Sequence, residues 1–564
     1  MEVVKRERNG SDGKYFVPPE IKALRPEPKD MTTVKKISGQ YYVYSLKRVS
    51  IPDKPNKTKK TTDKIIGKIE NSKYVPNVVP RITSTIPDIL DFGCYFLALS
   101  CSNHVLERLK KYFHEKDALL IYLMGIIYFV NKYTPARDIA EIFNQSVLSI
   151  KYNNVATSEN RISTFLDALG RHRLPGRKFE QSLIDEGSGT YAIDGHVILC
   201  CSQYNELADY GHKYFKYGNK QENFMVVFDV EQNHALTCCA FDGSIPDKVE
   251  VWEIFEHHHF KKNSWLLIDS GFYSENNFEL FRRDECFFVI PVPGMTVISK
   301  IVLEKSRNSE AYKGTFTFSR KDKQGKEIQT PVLYWETTVS DIEDIAYAMK
   351  KASVEEFNEK AAAEAKEGEK PAKRYAGKLK HSQFCSDRII ICKDMQMHDK
   401  LAAEYLSNIG SDNKHTLEEY NLLEPLFGVI VLRTNNLTEE AEICYKKYKK
   451  RWRIETFYNH VRNGIDFNHF HESNYYVQQG ISFLFVIEDC IYSQVLKKIE
   501  ESKIAFVHDI SINECRLKTG RLKLSKGIDN CWHRNSISGK LMDLFKEFNA
   551  DVDIEVLRLN KTPQ

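Results

Sequence analysis

The hydrophobic period of this chain changes at Gly189, and that change limits the fold more than any other feature. Upstream, from about Ile86 to Gly176, apolar residues recur at helical spacing in "VLERLKKYF", "ALLIYLMGIIYFV", "TPARDIAEIFNQS" and "SENRISTFLDALG". Downstream, "TYAIDGHVILCC" and "ENFMVVFDVEQNHALTCCAFDGS" are rich in β-branched and aromatic residues and read as three strands. Then "KVEVWEIFEHHHF", "SWLLIDSG", "SENNFELFRRD" and "CFFVIPV" alternate helix, strand, helix, strand, with Ser274 as an N-cap. The first three strands predict an antiparallel meander. The alternation after them predicts parallel crossovers, so the class is α/β.

The remaining segments organise around this core. Residues 1–80 read as a polar arm and a β-hairpin of "QYYVYSLKRV" and "DKIIGKI" with a basic tip, or else as a solvated loop. Residues 81–180 are the helical region, in which "ARDIAEIFNQS" has the spacing of a helix-turn-helix start. Residues 185–295 are the first part of the core. Residues 296–424 read as an insertion, with a hairpin in "TFTFSRKDKQGKEIQTPVLYWETTV", a charged helix or loop, and a strand in "DRIIICKD". Residues 425–500 hold a strand, one long helix through Gly464 and an apolar helix. Residues 501–564 are mixed and basic.

Several classes are set aside. The apolar run Ala118–Val130 is too short for a membrane span, which needs about 20 residues. The 13 cysteines include no C-x-x-C pair and the charged N-terminus has no apolar signal core, so an intracellular, reduced setting is expected. Neighbouring residues of a helix diverge, so His257, His258 and His259 are not expected to share an ion. Cys200–Cys201 and Cys238–Cys239 lie in expected strands and read as buried apolar residues. The net charge of +4 is small, so any nucleic-acid contact must come from local patches.

Three carboxylates carry the chemistry. Asp194 in "YAIDGH" and Asp269 in "LLIDSGF" stand where apolar strands are expected to end in turns. Such sheet edges hold ligand sites, and carboxylates there can bind Mg²⁺; turn chemistry alone also accounts for an Asp near Gly. Glu455 lies in "YKKYKKRWRIETFYNHVRNG". On one continuous helix at about 100° per residue, Tyr448, Arg451, Glu455 and Arg462 fall within about 60° of one another. Ile454, Phe457, Tyr458 and Val461 form a separate apolar face. Three carboxylates can hold two divalent ions about 4 Å apart on a phosphodiester, while Arg and Tyr bind flanking phosphates.

In these segments the chain resembles the DDE transposases of prokaryotic insertion sequences, most closely the insertion-sequence-four superfamily with its Y-R-E-K signature. Tyr448, Arg451 and Glu455 match that signature, and Arg462 stands where the family has lysine. "DGH" at Asp194 and "IDSGFYS" at Asp269 resemble the family's two Asp motifs. The resemblance is best over about residues 185–295 and 425–500. It implies an RNase H-like catalytic core interrupted by a β-containing insertion, flanked by the N-terminal β-hairpin and helical regions and a C-terminal helical region. It implies that Asp194, Asp269 and Glu455 are catalytic and hold two Mg²⁺ or Mn²⁺ ions. Tyr448, Arg451 and Arg462 are then expected to grip DNA phosphates, with Lys449, Lys450 and Arg453 as an electrostatic surround. Trp452 either stabilises an extruded base or packs against the insertion.

The implied activity is cut-and-paste transposition, with strand cleavage at the element's ends followed by strand transfer. The implied partners are double-stranded DNA (terminal inverted repeats and target) and a second copy of the chain, in a prokaryotic cytoplasm. Residues 1–80 and 81–180 are expected to bind DNA, and residues 501–564 to dimerise or bind DNA. A metal-dependent nuclease on the same fold without strand transfer, and a DNA-binding protein that has lost catalysis, are the rival readings.

Overall fold

The computed structural model describes residues 8–9, 14–51, 54–77, 89–200, 204–211, 213, 217–321, 327–364, 371–410 and 415–561. The chain divides into two compact units, Met1–Ile86 and Pro87–Gln564. In the first, strands Thr32–Ile37, Gln40–Ile51, Lys54–Glu70 and Lys73–Pro76 pair antiparallel in sequence order. Val17, Val34, Val43 and Ile69 form its core. The expected hairpin is thus part of a four-stranded meander, and the Lys/Thr-rich stretch before Asp63 is strand. One face of an antiparallel sheet can stay solvated, which is why so polar a segment can pair. Pro52 and Asp53, and Cys201, lie outside the described residues.

The second unit begins with helices α1 (Gly93–Leu109), α2 (Glu115–Asn131) and α3 (Glu159–Arg171). The apolar run falls on α2, which is buried from Leu120 to Phe129. No single helix among the described residues is long and apolar enough to cross a membrane. His258 is buried with its Nε2 3.3 Å from Glu180, apart from its histidine neighbours. The described cysteines are free thiols.

A nine-stranded sheet follows. Its strands are β1 (Thr190–Cys200), β2 (Lys220–Asp229), β3 (His234–Asp242), β4 (Trp265–Ile268), β5 (Phe287–Pro291), β6 (Gly314–Lys321), β7 (Glu327–Thr338), β8 (Arg388–Asp394) and β9 (Val429–Thr434). The spatial order is β3-β2-β1-β4-β5-β9-β8-β7-β6. β1, β2 and β3 are antiparallel neighbours, whereas β1, β4 and β5 run parallel. Helix α4 (Asp247–His257) makes part of the crossover from β3 to β4. β9 lies antiparallel to β5, and β8, β7 and β6 extend the sheet from its other edge. The strands of residues 296–424 therefore continue the core sheet.

Two local expectations are corrected. Asp194 does not end its strand. β2 pairs with β1 as far as Cys200, so the ladder carries β1 six residues past Asp194, whereas β4 stops at Ile268. The helix carrying Glu455 is not continuous. It comprises α5 (Ala441–Lys450), a tight junction at Arg451–Trp452, α6 (Arg453–Asn459) and a π-helical turn over His460–Gly464. At the junction Ile454 N–H donates to Arg451 C=O and Glu455 N–H to Trp452 C=O, both at 3.0 Å. Those three-residue bonds overwind the chain and the π turn underwinds it, so a uniform 100° step fails across the segment.

Helix α7 (Tyr475–Glu501) covers the sheet's β3 side. Asp489 Oδ2 accepts the Ala235 N–H at 2.6 Å, where a bulge interrupts the β2–β3 ladder. Gly480 lets α7 touch α3, since a Cβ there would lie 2.5 Å from the Leu166 carbonyl. Glu488 on α7 accepts from His460 at 2.9 Å and from Arg516 at 3.3 Å, fixing the start of the π turn. The C-terminal region is not purely helical, because strands Lys523–Lys526 and Trp532–Arg534 form a small sheet with Ile89–Asp91.

A buried charge network joins β8, β9 and the turn after β4. Arg433, only 1 % exposed, donates to Asp387 Oδ2 at 2.8 Å and to Tyr273 Oη at 2.9 Å, and Arg282 pairs with the same Asp387. Asp387→Ala would leave buried Arg433 with Glu275 Oε1, at 3.1 Å, as its remaining anion and would remove the partner of Arg282. It should lower unfolding free energy by about 2–4 kcal/mol, somewhat less than loss of a sole buried partner costs, measured by urea denaturation.

Candidate active site

The parallel pairing of β1 with β4 brings two of the three carboxylates together. Ile193 faces Ile268 in register, and one position further along stand Asp194 and Asp269. Asp269 keeps an extended backbone, with φ −81° and ψ 161°, so the alternation of side chains carries through it. The two aspartates therefore share one face of the sheet, on strands about 4.8 Å apart.

Helix α6 lies against β1 and β2 beside this pair. Tyr458 Oη donates to the Asp194 carbonyl at 2.7 Å, and Phe457 packs on Phe228. This docking places Glu455, in the first turn of α6, at the rim, where it is exposed. Burial raises the Asp194 carboxyl to about 7; Arg451 opposes the shift, and the negative charges of Asp269 and Glu455 add to it. The three carboxylates thus act on one electrostatic neighbourhood. They do not already converge, because among the described residues no three His, Cys, Asp or Glu side chains are grouped to hold a metal ion.

The cations around Glu455 have specific partners. Arg451 Nη1 donates to Asp194 Oδ2 at 3.2 Å, and Tyr448 lies beside Arg451 in the same field. Lys450 pairs with Glu231 at 2.5 Å, and Arg453 donates to the Val230 carbonyl. Lys447 sits over the Trp265 ring, and Lys449 over Tyr445 on the side facing Asp394. So Lys450 and Arg453 tie the α5–α6 junction to the β2–β3 connection, whereas Lys449 lies on Tyr445 of its own helix. Trp452 is 60 % exposed, so it does not pack into the insertion. Arg462 lies within the π turn and lines a cleft with His196.

Three residues of the site escaped the sequence reading. His196 stands two places after Asp194, hence on the same face of β1, and stacks on Tyr458 at 5.0 Å. Burial, with the charges of Lys213 and Arg462, lowers its imidazole to about 4. The strand period could have revealed it, had β1 been extended past Gly195. Tyr458 counted only as part of the apolar face. Asp247, in the first turn of α4, packs its carboxylate against Gly195, where a Cβ would meet its Cγ at 2.6 Å. Burial and Asp269 raise its carboxyl. Nothing in "SIPDKVE" distinguishes it from an ordinary helix start. Gly195 is therefore required by a close approach, not by a turn. Gly195→Ala should lower stability by about 1–3 kcal/mol, and adding Asp247→Ala should recover most of that loss in thermal unfolding.

The donor set suits a hard divalent cation. It offers carboxylate oxygens, two of them on register neighbours, in a partly desolvated place with excess negative charge that a cation would relieve. Asp194, Asp269 and Glu455 are the side chains that could hold it.

Residues 185–475 match the family model described as the transposase DDE domain, just over half of the chain. No curated protein matches the chain. Among solved structures, the chain is similar to the piggyBac transposase in its cryo-EM synaptic complex with hairpin DNA. The identity is 10 %, with 84 % of this chain and 86 % of that chain covered, at a TM-score of 0.34.

Proposed function

We propose that this chain, which belongs to the transposase DDE-domain family, cleaves DNA at the ends of a mobile element and joins the freed strand to a target. The observation that supports the proposal is the parallel register that ends at Ile193 and Ile268, immediately before Asp194 and Asp269, with Glu455 on α6 in the same electrostatic field. The strand order β3-β2-β1-β4-β5, with β2 alone antiparallel to its neighbours in that run, supports reading the core as RNase H-like. An order of this kind puts an Asp of the first strand next to one that follows the fourth.

Each residue then has a task. Asp194, Asp269 and Glu455 would hold two Mg²⁺ ions, which when bound supply charge stabilisation at the phosphodiester. Arg451, which donates to Asp194, is placed to bind a phosphate beside the scissile bond, with Tyr448 orienting it, and would be free to do so where Asp194 held a cation. Tyr458 holds the Asp194 backbone from behind. Trp452 presents its indole to solvent at the rim, where it can stack on a base drawn out of the duplex. A dimer would bring two element ends together.

On DNA carrying the element's inverted repeats, Glu455→Gln should reduce Mg²⁺-dependent cleavage by at least about a hundredfold, because direct ligands matter more than their supporting partners. End binding, followed by gel shift, should persist. Cleavage at the unsubstituted rate would remove Glu455 from the site. Trp452→Ala should change unfolding free energy by less than about 0.5 kcal/mol, as befits an exposed side chain, while slowing cleavage or strand transfer. A large loss of stability would return Trp452 to a packing role.

A further inference from the structure

The π turn that ends the Glu455 helix is closed into a ring by side chains from two other helices. His460, its first residue, meets Glu488 of α7 through Nε2 at 2.9 Å. Glu488 also accepts from Arg516 Nη2 at 3.3 Å. Arg516 Nη1 in turn donates to the carbonyl of Gly464, the last residue of the turn, at 3.2 Å. Arg516 belongs to helix α8 (Ile512–Thr519), in the C-terminal region. Its guanidinium lies over the Phe129 ring at 4.3 Å, and the His460 ring stacks on Tyr492 at 3.8 Å. Gly464 admits the arrangement, because a Cβ there would clash with His460 Nδ1. The Glu488 and Arg516 side chains are 1 % and 10 % exposed. Desolvating such a pair offsets most of its attraction, so it adds little stability that packed apolar side chains would not. What it adds is direction, since the planar fork sets Nη1 and Nη2 on two acceptors at once.

We propose that Arg516 is a positioning residue for the carboxylate site, acting through Glu455 from 61 positions further along the chain (516 − 455). The path is short. The π turn follows directly on α6, which carries Glu455 five residues before His460 and Tyr458 two residues before it. Tyr458 fastens α6 to the Asp194 carbonyl, and the ring fastens its other end. Opening the ring lets the turn rewind to regular α-helical bonding. That changes the rise and rotation between α6 and the chain beyond Gly464, which is itself held where Tyr133 N–H donates to the Ile465 carbonyl at 2.7 Å. Helix α6 must then shift, and Glu455 with it. The C-terminal region thereby serves the site from within the fold. The inference rests on the reading of Glu455 as a cation ligand.

The test measures Mn²⁺ binding to the full-length protein by electron paramagnetic resonance, beside thermal unfolding without metal. Arg516→Met keeps the apolar stem and removes the fork. Because it takes the guanidinium from a buried carboxylate, Glu488→Gln/Arg516→Met, which removes both charges, is measured with it. At least one of the two should unfold within about 3 °C of the unsubstituted protein while binding Mn²⁺ about tenfold more weakly, the effect expected of a ligand's supporting partner. Glu455→Gln should weaken Mn²⁺ by more, and adding Arg516→Met to it should weaken binding no further, because both act through one group. The positioning role is overturned by unchanged Mn²⁺ affinity in the Arg516 variants, by a loss that adds in full to that of Glu455→Gln, or by a loss seen only where the unfolding midpoint falls too. If instead Glu455→Gln itself binds Mn²⁺ like the unsubstituted protein, it is the reading of Glu455 as a ligand that fails.

Discussion

Two like charges held side by side are the constraint around which this site is built. The β1–β4 register gives Asp194 and Asp269 neighbouring positions on one face. Unit charges about 5 Å apart repel by about 3 kcal/mol at an effective permittivity near 20. Several features of the surroundings answer that repulsion. Arg451 donates to Asp194, the Gly195 N–H donates to its other oxygen at 2.9 Å, and Tyr458 holds its backbone. Burial nevertheless leaves the Asp194 carboxyl raised. A divalent cation is the partner that would satisfy both aspartates at once.

The broken helix follows from the same requirement. A regular helix from Ala441 to Gly464 could not both dock its basic turn on the β2–β3 connection and set Tyr458 against β1. The tight junction at Arg451–Trp452 lets α5 and α6 meet the sheet separately, through Lys447 on Trp265 and Arg453 on Val230. The π turn then swings Arg462 toward the cleft beside His196. Overwound and underwound turns within one helical run often occur at functional sites, where they aim side chains that a uniform helix could not. The buried Arg433–Asp387 pair serves the second aspartate similarly, since Tyr273, four residues past Asp269, bonds to Arg433.

Much of this was legible in the sequence, for physical reasons. The strand runs around Asp194 and Asp269 are so apolar that their existence and order follow from composition alone, and the α/β class follows from the alternation after Gly189. The extent of β1 was not legible, because Gly195 looks the same whether it forms a turn or admits Asp247. The partners of Lys450 and Arg453 were hidden for a similar reason. A lysine's charge is visible in sequence, whereas its partner, here Glu231 some 219 residues away for Lys450, is set by the fold. The break in the Glu455 helix was hidden because helical periodicity assumes the regularity that the site abandons. Asp247 and the cleft are tertiary facts with no local signal.

The central claim is that Asp194 and Asp269 share a cation that displaces Arg451. Anomalous diffraction from Mn²⁺-containing crystals of the protein bound to DNA measures this directly. The account predicts a manganese peak at ligand distance from both aspartates, with the Arg451 guanidinium moved from Asp194 onto a phosphate. Manganese bound only elsewhere, with Arg451 still paired to Asp194, would contradict it.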